Sequence, residues 1–287
     1  MIFARAKAQL HCLQAGERVA AIFFLYLFAL AWVRQLGMAP RLLLLILPLL
    51  ICGLATVESG TSRPWSRVVR DWLSMGLILV GYWSIGWFSA PPIVAWQERW
   101  VGWDRTLLDA WGLRAAIESA GYLIPSLLEV TYLLLYALPM VCMCVLYWIG
   151  GRERVHRFLF TLLLGTFSAY ALLPLLPVHG PHLAYPGFDL PNVHGLGRSV
   201  NVWILDQMDI PTSVFPSGHV AVAFSTAFGM YRAVRTRPAI WGAVFGAACL
   251  IYAATIYCRY HYAVDGLASV LIVAAASMAI PRGHAVA

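Results

Sequence analysis

Runs of about 20 apolar residues recur along almost the whole chain, broken by short clusters of arginine, and that is the length an α-helix needs to cross the hydrocarbon core of a bilayer. Lipid offers no partner to backbone N–H and C=O groups, so a spanning segment must satisfy them internally, as a helix does. Applied along the 287 residues, this rule places about eight spans, near 19–36, 40–57, 72–90, 122–148, 157–176, 217–234, 239–258 and 262–280. Only 11% of the residues are charged, against about 25% in a soluble globular protein. The sequence therefore reads as an all-α integral membrane protein.

The net charge of +7 does not point to nucleic acid, because the basic residues lie in short clusters between apolar runs, where membrane topology places them. Membrane lipids are the expected surroundings. With the N-terminus inside, thirteen of the twenty Lys and Arg fall on inner segments: Arg5, Lys7, Arg18, Arg63, Arg67, Arg70, Arg152, Arg154, Arg157, Arg232, Arg235, Arg237 and Arg282. The excess of positive charge puts both termini in the cytoplasm of a multi-pass inner (plasma) membrane protein. Basic residues precede the first apolar run, but no small-residue cleavage pattern follows it, so that run reads as a retained span. The six cysteines lie mostly within apolar segments and lack CxxC or Cys/His metal spacing, so no metal is expected.

Residues 1–71 hold an accessory hairpin of two spans turned at Gly37–Pro40, and residues 72–287 form the remaining membrane domain. Two connections are long. Residues 91–121 open on Pro91-Pro92 and mix Trp96, Trp100, Trp103 and Trp111 with charges, as surface-lying amphipathic helices do. Residues 177–215 are rich in Pro, Gly, His and Asn and are placed to form a lid or headgroup pocket. Within them Gly197–Asp209 suits a short helix carrying Asp206 and Asp209 toward the stretch that follows. Glu129, inside the fourth run, is read as hydrogen-bonded to a Tyr or Ser of a neighbouring helix.

That following stretch holds the chemistry. Pro216-Ser217-Gly218-His219 begins one span and Arg259-Tyr260-His261-Tyr262-Ala263-Val264-Asp265 begins another, two spans later. An out-and-back path returns His219 and His261 to one membrane face, which the charge bias makes the outer, periplasmic one. His261 and Asp265 share a helix face at i, i+4. A carboxylate on one imidazole nitrogen fixes the tautomer and leaves the other nitrogen to attack an electrophile; a structural His/Asp cap is the alternative. Ser217 suits a helix cap, Gly218 a close backbone approach, and the first-turn N–H groups an anion such as phosphate. There His219 can protonate a leaving alkoxide, or simply sit at the interface. Arg259 can join His261 only from a turn before the span; it then holds phosphoryl oxygens bidentately or snorkels to lipid phosphates.

The Pro-Ser-Gly-His and Arg-Tyr-His-Tyr-Ala-Val-Asp stretches resemble the second and third signature motifs of the type 2 phosphatidic acid phosphatase superfamily. The third is similar to that of its inositol phosphorylceramide synthase-like branch, as are Gly102-Trp103-Asp104-Arg105 to Leu108 and Pro177-Val178-His179-Gly180-Pro181. The resemblance spans roughly residues 100–280. It implies a six-helix core and metal-independent phosphoryl transfer without a cofactor. His261 attacks phosphorus, Asp265 orients it, His219 protonates the leaving group, and Arg259, Ser217 and Gly218 hold the phosphate. The superfamily's first motif, KxxxxxxRP, is absent, since no lysine follows Lys7. His182 stands in that loop where an arginine often follows Gly-Pro in this branch; binding phosphate there as a cation favours acidic pH. His179 and His194 read as loop histidines.

The resulting expectation is a phosphatase for lipid phosphates or pyrophosphates acting at the outer face. Two rivals stand beside it: a transferase that passes the phospho-headgroup to a lipid alcohol, and a catalytically silent lipid-binding scaffold.

Overall fold

The structure, a computed structural model, describes residues 12–59, 64–187 and 189–280. Four of the arginine and lysine residues used above for orientation, Arg5, Lys7, Arg63 and Arg282, lie outside these. Twelve α-helices make up the described residues: α1 (Ala15–Val33), α2 (Met38–Ser59), α3 (Pro64–Ile85), α4 (Val94–Arg105), α5 (Leu113–Glu118), α6 (Leu123–Ile149), α7 (Arg152–Tyr170), α8 (Pro181–Ala184), α9 (Arg198–Met208), α10 (Gly218–Ala233), α11 (Pro238–Tyr257) and α12 (Ala263–Met278).

Five of these segments, not eight, are long and apolar enough to cross a membrane: Ala15–Val33, Met38–Glu58, Leu123–Ile149, Arg152–Leu175 and Pro238–Tyr257. They make this a multi-pass membrane protein. The three remaining expected spans fall on α3, α10 and α12. Helix α3 is 22 residues long but begins among Arg67, Arg70 and Asp71, and these charges dilute its apolar character. Helices α10 and α12 have 16 residues each, a rise of about 24 Å against a hydrocarbon core of about 30 Å. They start late because the two motifs before them are folded as turns.

Helix α10 is the centre of the bundle, packed on α7, α11, α12 and α6. Its buried residues include many small ones, among them Ala221, Ala223, Ser225, Ala227 and Gly229. Lipid tails are as apolar as leucine, so helices in a membrane associate by close packing, which small residues permit. The hairpin α1–α2 is fixed to this core through aromatic rings: Phe23 stacks on Phe167 of α7 with centroids 4.4 Å apart. At the opposite end from the two motifs, Arg70 donates to Glu17 (2.6 Å), Glu58 (2.8 Å) and the Cys12 carbonyl (2.7 Å), tying α1, α2 and α3 together. Beside it Tyr147 of α6 donates to Asp71 of α3 at 2.8 Å.

Contact between α11 and α12 depends on Gly266. A Cβ there would meet the Tyr252 ring at 2.1 and 2.4 Å, and that ring is held because its hydroxyl donates to the Ala263 carbonyl. Overpacking of this kind costs about 1–3 kcal/mol. Gly266→Ala is accordingly expected to lower the thermal midpoint of the detergent-solubilised protein, and an unchanged midpoint would show that the ring gives way freely.

Of the surface helices expected in residues 91–121, α4 and α5 are present, joined by a π-helical turn at Thr106–Ala110. Trp103 and Trp111 are exposed, as membrane-interface residues are. Trp100 is instead buried, packed on Phe215 (centroids 4.8 Å apart) and Tyr262 (5.8 Å), so α4 lies over the motif turns. The connection from Pro177 is laid against it, with the Ile93 N–H donating to the Pro177 carbonyl at 2.9 Å and the Val178 N–H to the Thr212 carbonyl at 3.1 Å.

Candidate active site

The two motif turns meet at one end of the bundle, and three hydrogen bonds pin them. Ser217, the N-cap of α10, donates its N–H to the Asp265 carbonyl at 3.1 Å. Ser269 of α12 donates its hydroxyl to the Ser217 carbonyl (2.8 Å) and the Asp265 carbonyl (3.0 Å). All three residues are fully buried. The out-and-back path through α10 and α11 thus returns His219 beside His261, with His219 Nδ1 3.0 Å from His261 Nε2.

The proton positions follow from the partners. His261 Nδ1 lies 3.2 Å from the Val214 carbonyl, and a carbonyl only accepts, so Nδ1 carries the proton in the neutral ring. Nε2 then holds the lone pair and accepts from His219 Nδ1. His219 Nε2, left as an acceptor, takes the Tyr132 hydroxyl at 3.1 Å. Burial, with His219 and His182 nearby, holds the His261 pKa well below the ordinary histidine range, so the ring is neutral. A neutral imidazole with its lone pair on Nε2 is the nucleophilic form.

Asp265 departs from the expected arrangement in one respect. Its Oδ2 is 3.5 Å from His261 Nδ1, while it accepts the Tyr262 N–H at 2.9 Å. The closest group orienting the ring is therefore the Val214 carbonyl, a backbone atom that residue patterns do not display. Asp265 stands behind it as the carboxyl group nearest the ring.

Arg259 sits in the turn before α12, with φ of 65° in the left-handed region. The turn wraps around one acceptor: the N–H groups of Tyr260 and His261 both donate to the Thr255 carbonyl at 3.1 Å. The guanidinium is fully buried and donates to Asp104 of α4 at 2.6 Å, with Asp189 at 3.8 Å. Its Nε and Nη2 are buried without hydrogen-bond partners, although Nη2 faces the Asp189 carboxylate. Asp104 and Asp189 compete for that charge. Asp104 also accepts the Ala263 N–H at 3.1 Å, joining α4 to the start of α12.

Ser217 and Gly218 have structural duties here. The Ser217 hydroxyl accepts the Val220 N–H at 3.2 Å as the helix cap. A Cβ on Gly218 would come within 3.1 Å of the Tyr170 ring. His182 lies against the Arg259 turn, its N–H donating to the Arg259 carbonyl at 3.1 Å. Burial, then Arg198, lowers its pKa to about 4, so it is uncharged at neutral pH. Whatever His182 contributes near neutrality, it contributes as a neutral ring. His182→Gln is expected to keep turnover within about threefold, because no charge is lost, and to leave the pH profile between 5 and 8 unshifted. A shifted profile would mean that His182 titrates in the working range.

Several contributors were not singled out by residue pattern. Tyr132, Asp189 and the Val214 carbonyl carry no local signal. Glu129 is satisfied by a tyrosine, as expected, but from the turn before α12 rather than from a neighbouring helix: Tyr260 donates to it at 2.7 Å and Asn201 at 2.6 Å, with Arg198 at 3.3 Å. This buried cluster ties α6 to the connection after Pro177 and to the Arg259 turn.

A cavity of about 530 Å³ opens beside His219 between α3, α6, α7, α9 and α10, within the range of roughly 300–1,000 Å³ typical of small-ligand sites. Most of its wall is apolar, and its polar groups are His219, Tyr82, Tyr136, Tyr170 and Asp209.

No curated protein and no solved structure matches the chain. A family model described as PAP2 superfamily, PAP2_3, matches residues 99–279, the part that holds both histidine motifs and the helices that bring them together. The match is to the superfamily and lends no support to the inositol phosphorylceramide synthase-like branch in particular. On that match, which covers more than half its length, the chain belongs to the PAP2 superfamily.

Proposed function

We propose that this protein transfers the phosphoryl group of a lipid phosphate or pyrophosphate through a phosphohistidine on His261, at the extracytoplasmic face of the membrane. The observation that carries the reading is the 3.0 Å approach of His219 Nδ1 to His261 Nε2, with His261 Nδ1 turned to Val214 and Asp265. Membership of a superfamily of mostly phosphatases and phosphotransferases supports it.

In the first step His261 Nε2 attacks phosphorus, the bond from phosphorus to the lipid oxygen breaks, and the protonated form of His219 gives that oxygen its proton. The His261 ring becomes a phosphorylated imidazolium whose positive charge lies next to Asp265. In this reading Arg259, whose Nε and Nη2 lack hydrogen-bond partners, holds the non-bridging oxygens in competition with Asp189, and a guanidinium there stabilises developing charge. In the second step a hydroxyl oxygen attacks phosphorus. The P–N bond breaks, its electron pair returns to Nε2, and neutral His219 takes the hydroxyl proton.

Water as acceptor gives hydrolysis, the leading reading. Transfer to a lipid alcohol is the second, favoured by the apolar cavity against His219, since a wall of this kind holds water off. The outer-face assignment rests on the arginine clusters at the opposite end of the bundle. Purified protein in detergent, supplied with a panel of lipid phosphates in the presence of chelator, tests the proposal by release of phosphate or formation of a new phospholipid. Silence across the panel, with the lipids bound, would favour the scaffold reading. A reporter fused near Arg235 and found outside the cell would reverse the orientation.

A further inference from the structure

The cavity beside His219 is graded from end to end. Its polar residues, Tyr82, Tyr136, Tyr170, Asp209 and His219, lie toward the end that holds the motifs, while Trp72, Met75, Met140 and Val222 line it toward the arginine-rich end. Helices α3 and α6 are joined at that arginine-rich end by Tyr147 and Asp71. At the other end α9 closes the cavity, with the Trp83 indole donating to the Met208 carbonyl at 3.3 Å. Between these closures the cavity reaches the flank of the bundle, because Leu79, Tyr136 and Met140 line it and are also exposed. An opening on the flank of a membrane bundle admits chains from lipid, and the grading fits an amphiphile with its polar end beside His219.

One carboxylate faces this space. Asp209, which follows α9, accepts a hydrogen bond from the Tyr82 hydroxyl, which in turn accepts the Ile210 N–H at 3.2 Å. Asp209 is half-buried, and the part left open lines the cavity. Burial raises its pKa to about 6, so it is a carboxylate at neutral pH. A carboxylate has about four acceptor sites, more than Tyr82 occupies, and in an apolar cavity an unused one is costly.

We propose that Asp209, held by Tyr82, is the hydroxyl anchor for a single-chain lipid alcohol bound in this cavity with its oxygen beside His219. The proposal deepens the phosphoryl-transfer reading and rests on it for the source of the alcohol, which is either the alcohol left by dephosphorylation or the acceptor in transfer. A lipid alcohol satisfies both ends of the cavity: its O–H donates to Asp209, its oxygen lone pairs stay free, and its chain lies among the apolar residues. A cationic head would satisfy the carboxylate as well, but it would sit against His219, the residue that must carry a proton. A phosphate head would be repelled by Asp209.

The test uses a long-chain primary alcohol brominated at its far end, whose bromine quenches tryptophan fluorescence on contact, alongside its methyl ether. Binding is measured in His261→Ala, where no turnover intervenes. The alcohol is expected to bind roughly tenfold more tightly than the ether, as for a hydrogen bond to a charged group, with quenching that Trp72→Phe diminishes. Adding Asp209→Leu is expected to remove the preference while leaving the ether's affinity within about twofold, which shows that the cavity is intact. Equal binding of alcohol and ether, quenching unaffected by Trp72→Phe, or equal loss of both ligands in Asp209→Leu would overturn the proposal. The source is read with unmodified protein and a lipid phosphate donor. Phosphorylation of the brominated alcohol identifies an acceptor, whereas slower phosphate release without that product identifies the leaving alcohol. Absence of all turnover would sink the phosphoryl-transfer reading, and the binding comparison would still decide the role of Asp209.

Discussion

Replacing His261 with alanine is expected to lower phosphoryl transfer by at least about 10⁴-fold, the scale seen when a covalent nucleophile is removed. The ring is buried and neutral, with its Nδ1 proton directed at Val214 and its Nε2 lone pair toward His219 Nδ1, where a general acid would hold its proton. No neighbouring side chain can take its place: His219, the nearest ring, has its Nδ1 toward His261 and its Nε2 toward Tyr132. The measurement is turnover of a lipid phosphate, together with trapping of acid-labile label on the protein after brief exposure to a radiolabelled substrate. His219→Ala separates the two histidines. It is expected to lose about 10²–10⁴-fold on an alkyl phosphate, to regain much of this with a leaving group that needs no proton, and still to trap label. Equal label in His261→Ala and the parent protein would place the nucleophile elsewhere.

The second large effect is on stability. Asp104→Ala removes the carboxylate that pairs with a fully buried Arg259 at 2.6 Å and accepts the Ala263 N–H at 3.1 Å. Breaking a buried pair by deleting one partner costs about 3–5 kcal/mol, because the remaining charge has no water to return to. Asp189, at 3.8 Å from Arg259 and already bonded to Arg105, offsets part of this. Thermal unfolding in detergent is expected to show a clearly lowered midpoint for Asp104→Ala. Adding Arg259→Met should restore part of it, since the unpaired charge is then gone. That double variant stays inactive if Arg259 holds phosphate. An Asp104→Ala midpoint equal to the parent's would show that Asp189 alone balances the guanidinium.

The meeting of His219 and His261 was legible because its signals are local. Ser-Gly-His at the start of one apolar run and His261 with Asp265 at the start of another each occupy a few consecutive residues. A pair of runs returns the chain to where it began, whatever their tilt. The surroundings of the pair are not local. Arg259 meets a carboxylate 155 positions away, and the orienting atom on His261 is a backbone carbonyl 47 positions away. Composition does not carry such pairings. The number of spans was misjudged for a related reason. Apolar residues that line a packed core and those that face lipid look alike in sequence, so the 16-residue helices α10 and α12 read as full spans. Motif turns absorb the residues that would have lengthened them.

Sequence alone determined that the chain is a bundle of membrane helices and that two histidines stand at one end of it, since helix length, polarity and turn positions are properties of neighbouring residues. Tertiary structure alone decided what each histidine nitrogen touches, which aspartates balance Arg259, and that Asp209 opens on an apolar cavity beside His219. Those outcomes depend on side chains from distant helices meeting at distances of about 3 Å, where hydrogen bonds form, and on the burial that strips them of water.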